Sequence, residues 1–211
     1  MVGTGAVKNI EEQLQAAGLE NLGVVERLSS WPRLMQESPL MQDFTPPEAD
    51  ILGSVMLRIK AKQGQVLIAE DDASDWMMLL LSGTVEVSKR KIGADVDAGE
   101  PGGTTRLAVV KDGASLGEMS MLDGEPRYAS CIALTEVEAA VLARSGVARL
   151  IITQPAVGAK LLVKITQLLA QRLRNTSNQV ITLLKEQQSK DGQPDAEDAE
   201  TTHKSQKNPK D

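Results

Sequence analysis

Glu118 and Arg127 are an acid and a base that could together hold a ligand. They lie nine residues apart in the segment Leu116-Gly117-Glu118-Met119-Ser120-Met121-Leu122-Asp123-Gly124-Glu125-Pro126-Arg127-Tyr128-Ala129-Ser130. Glycine permits a tight entry, and Glu118 to Leu122 fits one turn of helix. Gly124 and Pro126 turn the chain back, and Ala129 starts the next strand. A short helix start offers backbone N–H groups to a phosphate. Gly117 and Ser120 are small enough for the backbone to approach closely, and Arg127 can grip phosphate oxygens with its planar fork. Ionised Glu118 only accepts hydrogen bonds; it would repel a phosphate but suits a pair of sugar hydroxyls. The two together match a ribose phosphate, and a surface Glu–Arg salt bridge accounts for them equally well.

The elements that must hold this segment are short and β-rich. From residue 57 to 143 the chain is a series of Val, Leu and Ile runs separated by glycines or polar clusters. The expected strands are Leu57 to Ala61, Val66 to Ala69, Met77 to Leu81, Thr84 to Ser88, Arg106 to Val110, Ala129 to Leu134 and Ala139 to Ala143. Thr84 to Ser88 alternates with period two, as a half-buried strand does. Many short strands with close turn signals indicate a sandwich or barrel rather than a parallel sheet. Residues 92–105, rich in glycine, read as a long hairpin loop.

Helices flank this region. Residues 1–37 read as a helical extension in which Ile10, Leu14 and Ala17 recur at helical spacing, broken into two short helices by Gly18 and Gly23. It serves either as a layer covering the core or as a partner-binding arm. Thr45, Pro46 and Glu48 mark a helix start, with the helix running to about Leu52 or Met56. Residues 38–156 would form the β domain and 157–188 one long helix. Its apolar stripe passes from Leu161 through Ile165, Leu169 and Leu173 to Val180 and Leu184, and the run from Val157 to about Gln188 is roughly 45 Å long at 1.5 Å per residue. A helix that long outruns a small barrel, so it either pairs with a second copy of itself or folds back on residues 1–37. Residues 189–211 are nearly devoid of apolar side chains and are expected to be a disordered polar tail.

Composition removes other functions. The 211 residues carry a net charge of −6, one cysteine, one histidine and 2% aromatics. His203 sits in the polar tail and Cys131 has no second cysteine to pair with, so haem, zinc, iron–sulfur and Ser-His-Asp or Cys-His chemistry lack their residues. No resident cofactor, metal or enzymatic activity is expected. There is no basic stripe for DNA and no aromatic platform for single strands. No run of ~20 apolar residues spans a membrane and no signal peptide is evident, so a cytoplasmic location is expected.

The segment 116–130 resembles the phosphate-binding cassette of the cyclic nucleotide-binding domain family. That pattern is Gly-Glu, a small or apolar pair, Leu, a short variable loop, Arg, any residue, Ala. Gly117, Glu118, Leu122, Arg127 and Ala129 fall in register, and Gly124 and Pro126 agree with the kinase-regulatory version. Gly64, Gly83 before the Thr84 strand, and Asp112-Gly113 match further family positions, so the resemblance extends over about residues 38–185. It implies a mainly β fold with α elements: an eight-stranded double-stranded β-helix, a jelly-roll-like β-roll, flanked by helices and followed by a long C-terminal dimer helix. It implies that Glu118 binds the ribose 2′-hydroxyl and that Arg127 neutralises the cyclic phosphate, helped by backbone N–H groups near Ser120 and Ala129. The ligand-binding residues it implies are Gly117, Glu118, Met119, Ser120, Arg127, Tyr128 and Ala129.

The long helix is similar to the dimer helix of the bacterial catabolite activators at Ala170-Gln171-Arg172-Leu173-Arg174-Asn175-Thr176-Ser177. By that resemblance Thr176 and Ser177 touch the base; polar residues at a helix seam also set register without touching ligand. Two features depart from the family. The activators continue into a helix-turn-helix, whereas only the polar tail follows here, so direct DNA binding in that manner is not expected. Tyr128 stands where the family usually has Ala, Ser or Thr, a position that helps choose between cAMP and cGMP. It hydrogen-bonds the ligand, crowds the pocket, or points outward. The expectation is a dimeric sensor of cAMP or cGMP that lacks its own output domain and acts through a partner protein; the alternatives are a degenerate fold kept as an interaction module, or a site for another nucleotide.

Overall fold

The structure is a computed structural model and describes residues 9–91 and 103–191. The chain divides into two compact units, Met1–Leu168 and Leu169–Asp211. Within the first unit, α1 (Ile10–Ala16), β1 (Glu20–Val24), a 3-10 turn (Leu28–Ser30), α2 (Pro32–Glu37) and α3 (Pro46–Gly53) precede the barrel. The barrel strands are β2 (Leu57–Ala61), β3 (Val66–Ile68), β4 (Trp76–Ser82), β5 (Val85–Arg90), β6 (Thr104–Val110), β7 (Ser115–Leu116), β8 (Ser130–Ala133) and β9 (Val137–Ala143). The cassette helix α4 (Glu118–Asp123) interrupts them, and α5 (Arg144–Thr153) and α6 (Pro155–Asp191) follow.

The strands form two antiparallel sheets, β1-β2-β9-β4-β7 and β3-β8-β5-β6. β2 to β9 account for the eight strands of a β-roll, and helices flank them. All seven strands expected from local pattern are found, shifted by at most two residues at their ends. β4 is the central element, buried along Trp76, Met77, Met78, Leu79, Leu80 and Leu81. Trp76, Met78 and Leu80 face the interior with Ile59, Leu67, Val85, Leu116, Val137 and Val141, and Leu14 of α1 closes the same cluster. Residues buried on both faces cannot alternate, so β4 reads as a continuous apolar run.

Three elements differ from the sequence reading. Glu20–Val24, read as helical, is a strand: it pairs antiparallel with β2, Glu20 opposite Lys60 and Val24 opposite Leu57. All five of its residues are exposed, so neither period marks it; the edge of β2 supplies its hydrogen bonds. β7 is too short to carry a pattern of its own. α5 lies in the stretch after residue 143 that reads as helical, but as a helix separate from α6, and Gly146 within it is a position where a side chain would meet Leu142 and the Val55 carbonyl.

The expected start of α3 is a capping box, with the Thr45 amide and hydroxyl donating to Glu48 Oε2 at 2.8 and 2.9 Å. Lys160 of α6 donates to both Glu48 oxygens (2.6 and 2.7 Å), and Lys164, itself buried, to Asp43 (2.6 Å). These pairs fix the first turns of α6, where Leu161 and Ile165 are buried, against α3 and the loop before it. In the second unit, residues 169–191 continue as helix, with Leu173, Val180, Ile181, Leu183 and Leu184 exposed. Residues 92–102 of the expected hairpin loop and 192–211 of the expected tail lie outside the described residues. Among the described residues no helix is long and apolar enough to cross a membrane.

Candidate functional site

β7 ends at Gly117, whose φ of 81° is a left-handed conformation that glycine adopts without penalty. A side chain is excluded for a second reason: a Cβ at Gly117 would lie 2.5 Å from Arg127 Nη1 and 3.1 Å from the Trp76 carbonyl. The turn delivers Glu118 as the first residue of α4. Its carboxylate is 2% exposed, and the Ser115 hydroxyl donates to Oε1. Ser120 and Met121 are buried on the inner side of α4, whereas Met119 and Leu122 are exposed. Arg144, at the start of α5, holds the end of α4 by donating from Nε to the Met121 carbonyl (2.7 Å) and from Nη2 to the Ser120 carbonyl (2.9 Å). The Met121 carbonyl lies in the last turn, where carbonyls lack intrahelical donors, and the Ser120 carbonyl also accepts from the Gly124 N–H (3.0 Å).

Arg127 returns the chain toward β8 and is also 2% exposed. Its Nε donates to Ser74 Oγ (2.8 Å), Nη1 to the Gly117 carbonyl (2.9 Å) and Nη2 to the Trp76 carbonyl (2.5 Å). The guanidinium carbon sits 4.5 Å from the centroid of the Trp76 ring. All three acceptors are neutral. Burial pushes the guanidinium down from its ordinary value to about 10, and the surrounding Asp72, Cys131, Asp75 and Glu118 only partly offset it. Arg127 remains charged at neutral pH, a desolvated cation beside a buried carboxylate.

The Arg127 backbone is clamped on both sides. Its N–H donates to the Asp72 carbonyl and its carbonyl accepts from the Asp71 N–H, each at 2.9 Å. Asp71 is left-handed (φ 68°). The turn is held by Glu70, whose carboxylate takes Lys89 Nζ (3.0 Å) and the Arg90 N–H (2.9 Å). The Arg90 amide, then Lys89, hold the Glu70 carboxyl below its ordinary value. Lys89 also donates to the Tyr128 carbonyl (2.7 Å) and lies 4.1 Å above the Tyr128 ring. That ring is 59% exposed, so of the three orientations open from the sequence the outward one is found.

Gly117, Glu118, Ser120 and Arg127 are thus gathered at one place, with Ala129 half-buried beside them and Met119 and Tyr128 on the surface. Thr176 and Ser177 belong to the second unit, where both are exposed and the Thr176 hydroxyl donates to the Arg172 carbonyl (3.0 Å). Sequence reasoning missed Ser74, Trp76, Ser115, Glu70 and Arg144. Only Trp76 carried a signal, as one of two tryptophans in a chain with 2% aromatics. The others are ordinary polar residues whose roles come from non-local contacts.

Comparison with known proteins agrees with this geometry. The profile of the cyclic nucleotide-binding domain matches residues 58–154. The structure superposes on the crystal structure of a cyclic nucleotide-binding domain from Methylobacillus flagellatus KT with a TM-score of 0.66 and 31% identity, covering 78% of this chain and 88% of that one. The chain is 32% identical over 140 residues to the cyclic AMP receptor protein of Thermus thermophilus, covering 66% of this chain and 59% of that protein. It is 31% identical over 126 residues to the cAMP-dependent protein kinase regulatory subunit of Aspergillus niger, 60% of this chain but only 28% of that protein. The fold is that of a β-roll with flanking helices. The chain belongs to the cyclic nucleotide-binding domain family, related to kinase regulatory subunits and to cyclic AMP receptor-like regulators.

Proposed function

We propose that this protein is a cyclic nucleotide sensor in which Glu118 takes the ribose 2′-hydroxyl and Arg127 the cyclic phosphate. One observation carries the reading: a charged guanidinium, 2% exposed, whose three protein acceptors are a hydroxyl and two carbonyls. A guanidinium has five N–H groups, and a buried cation without a contacting anion is an incomplete arrangement that a phosphate completes. The nucleotide is a ligand, not a resident cofactor. The names of the relatives favour cAMP over cGMP, and the surface position of Tyr128 leaves room for either. Gly117 and Ser120 border the phosphate, with Met119, Tyr128 and Ala129 around its rim.

The same reading assigns a homodimer to α6. Leu173, Val180, Ile181, Leu183 and Leu184 are large apolar side chains exposed within one helical stretch, and the matching stretch of a second copy covers them. Thr176 and Ser177 lie in that stretch and contact the base. The response passes to a partner protein, and the single buried thiol, Cys131, suits a reducing cytoplasm. A second reading, a fold kept only as an interaction module, has one observation behind it: Glu118 and Arg127 already have protein partners, Ser115 among them.

Calorimetric titration with cAMP and with cGMP, after removal of co-purified nucleotide, separates the two. Saturable binding of one nucleotide per chain, lost in Glu118→Ala and in Arg127→Ala, is the expected result. Unchanged affinity in both variants sinks the site assignment, and absence of binding to either nucleotide leaves the interaction module.

A further inference from the structure

Among the described residues, the indole nitrogen of Trp76 is a buried donor with nothing to donate to. Trp76 is 2% exposed, and its Nε1 has no hydrogen-bond partner among them. Buried polar groups in native proteins are nearly always paired, and leaving such a bond unmade is destabilising. Phenylalanine or leucine would fill an apolar core position at the head of β4 without that cost, so the N–H calls for an explanation.

Its position supplies one. The Trp76 ring lies against the Arg127 guanidinium, 4.5 Å from centroid to carbon, and the Trp76 carbonyl accepts from Nη2 (2.5 Å). The indole nitrogen belongs to that same ring system, so it sits within a few ångströms of the guanidinium. Three polar side chains of the adjoining chain and the cassette entry are engaged elsewhere. Ser74 accepts from Arg127 (2.8 Å), Ser115 donates to Glu118, and Asp75 accepts from Gln13 (3.3 Å). An unmatched donor and a cation with only neutral acceptors therefore share one corner of the barrel. A single anionic oxygen acceptor satisfies both.

We infer that Trp76 is a further ligand contact, its indole N–H donating to an oxygen of the cyclic phosphate that Arg127 holds. This rests on the sensor reading above. The ring face of Trp76 already backs the guanidinium; the ligand's oxygen completes the edge. Because the cyclic phosphate is common to cAMP and cGMP, the contact adds affinity for both alike and does not discriminate bases.

The test is calorimetric titration of wild type and Trp76→Phe with each nucleotide, with melting of the ligand-free proteins as the check on folding. Phenylalanine keeps an aromatic face under Arg127 and removes only the donor and the second ring. The expected result is a loss of about tenfold or more in affinity, by the same factor for cAMP and cGMP. Wild-type affinity in Trp76→Phe overturns the proposal and leaves the ring as a platform only; a loss confined to one nucleotide overturns it by assigning the contact to the base. Wild type that binds neither nucleotide refutes the sensor reading itself, and this contact with it. If Trp76→Phe does not fold, Trp31→Phe leaves Trp76 as the sole tryptophan. Saturation with cAMP must then shift its emission, and an unchanged spectrum overturns the proposal.

Discussion

Replacing Gly117 by alanine perturbs the candidate site at its tightest point. Two costs follow from the geometry. Residue 117 has φ 81°, where an L-residue costs about 1–2 kcal/mol relative to glycine. The new Cβ would stand 2.5 Å from Arg127 Nη1, about 1 Å inside the ~3.5 Å of ordinary contact. The backbone carbonyl of Trp76 at 3.1 Å blocks the Cβ from moving aside, so the guanidinium yields. A withdrawal of that size takes the 2.9 Å bond to the Gly117 carbonyl beyond hydrogen-bond range. Losing one charge-assisted bond costs about 1.5–3 kcal/mol, so stability falls by about 3 kcal/mol or more, read from the urea midpoint. Affinity for cAMP falls about tenfold to a hundredfold, because the cation no longer meets the phosphate where it was held. Gly83→Ala is the control. Gly83 is also left-handed (φ 103°), and its Cβ would strike the Glu136 carbonyl in the β8–β9 turn, outside the cassette. It destabilises the fold without touching Arg127, so the folded fraction binds normally. Wild-type affinity in Gly117→Ala, or an equal loss in Gly83→Ala, refutes the argument that Gly117 sets the position of Arg127.

Three further outcomes are expected. The Lys160 ammonium, with the Thr45 amide and hydroxyl, lowers the Glu48 carboxyl from 4.5 to about 2 in the folded chain. The pair therefore stabilises fully above the unfolded value of 4.5 and is lost as pH falls through about 2. Glu48→Gln should flatten the acid limb of the melting temperature against pH, and an unaltered limb would show that the contact contributes nothing. Arg144→Gln removes two donors from the last turn of α4 and should weaken cAMP binding by about fivefold, at about 1 kcal/mol, with little change in barrel stability; a variant that binds normally would show that α4 needs no such support. Leu183→Glu places a charge in the exposed stripe of α6 and should convert a dimeric mass to a monomeric one by light scattering, whereas a wild type already monomeric at high concentration removes the basis for the dimer.

Much of the barrel was legible because its strands carry local signals. Val66–Ile68, Val85–Arg90 and Val137–Ala143 are β-branched runs bounded by turn residues, and each run lies where a strand is found. The cassette was legible for the same reason: Gly117, Glu118, Leu122, Arg127 and Ala129 are held in register by one short loop, so their spacing survives as text. β1 was not legible, since its five exposed residues have no buried face to write a period into the sequence and depend on the edge of β2. Arg144 was hidden because a surface-like arginine after a strand gives no sign that it will cap a helix some twenty residues earlier.

Local spacing was enough to mark which residues gather in the candidate cradle and in what order, because glycine, carboxylate and guanidinium are brought together by contiguous chain. What Arg127 rests on came from packing instead. Its partners Ser74 and Trp76 lie 53 and 51 residues away in the chain. Antiparallel pairing sets β4 beside both β7 and β9, and so puts the Trp76 carbonyl and ring under the guanidinium. Burial there desolvates the cation and leaves an indole donor unmatched, and burial is a property of packing that no local spacing encodes.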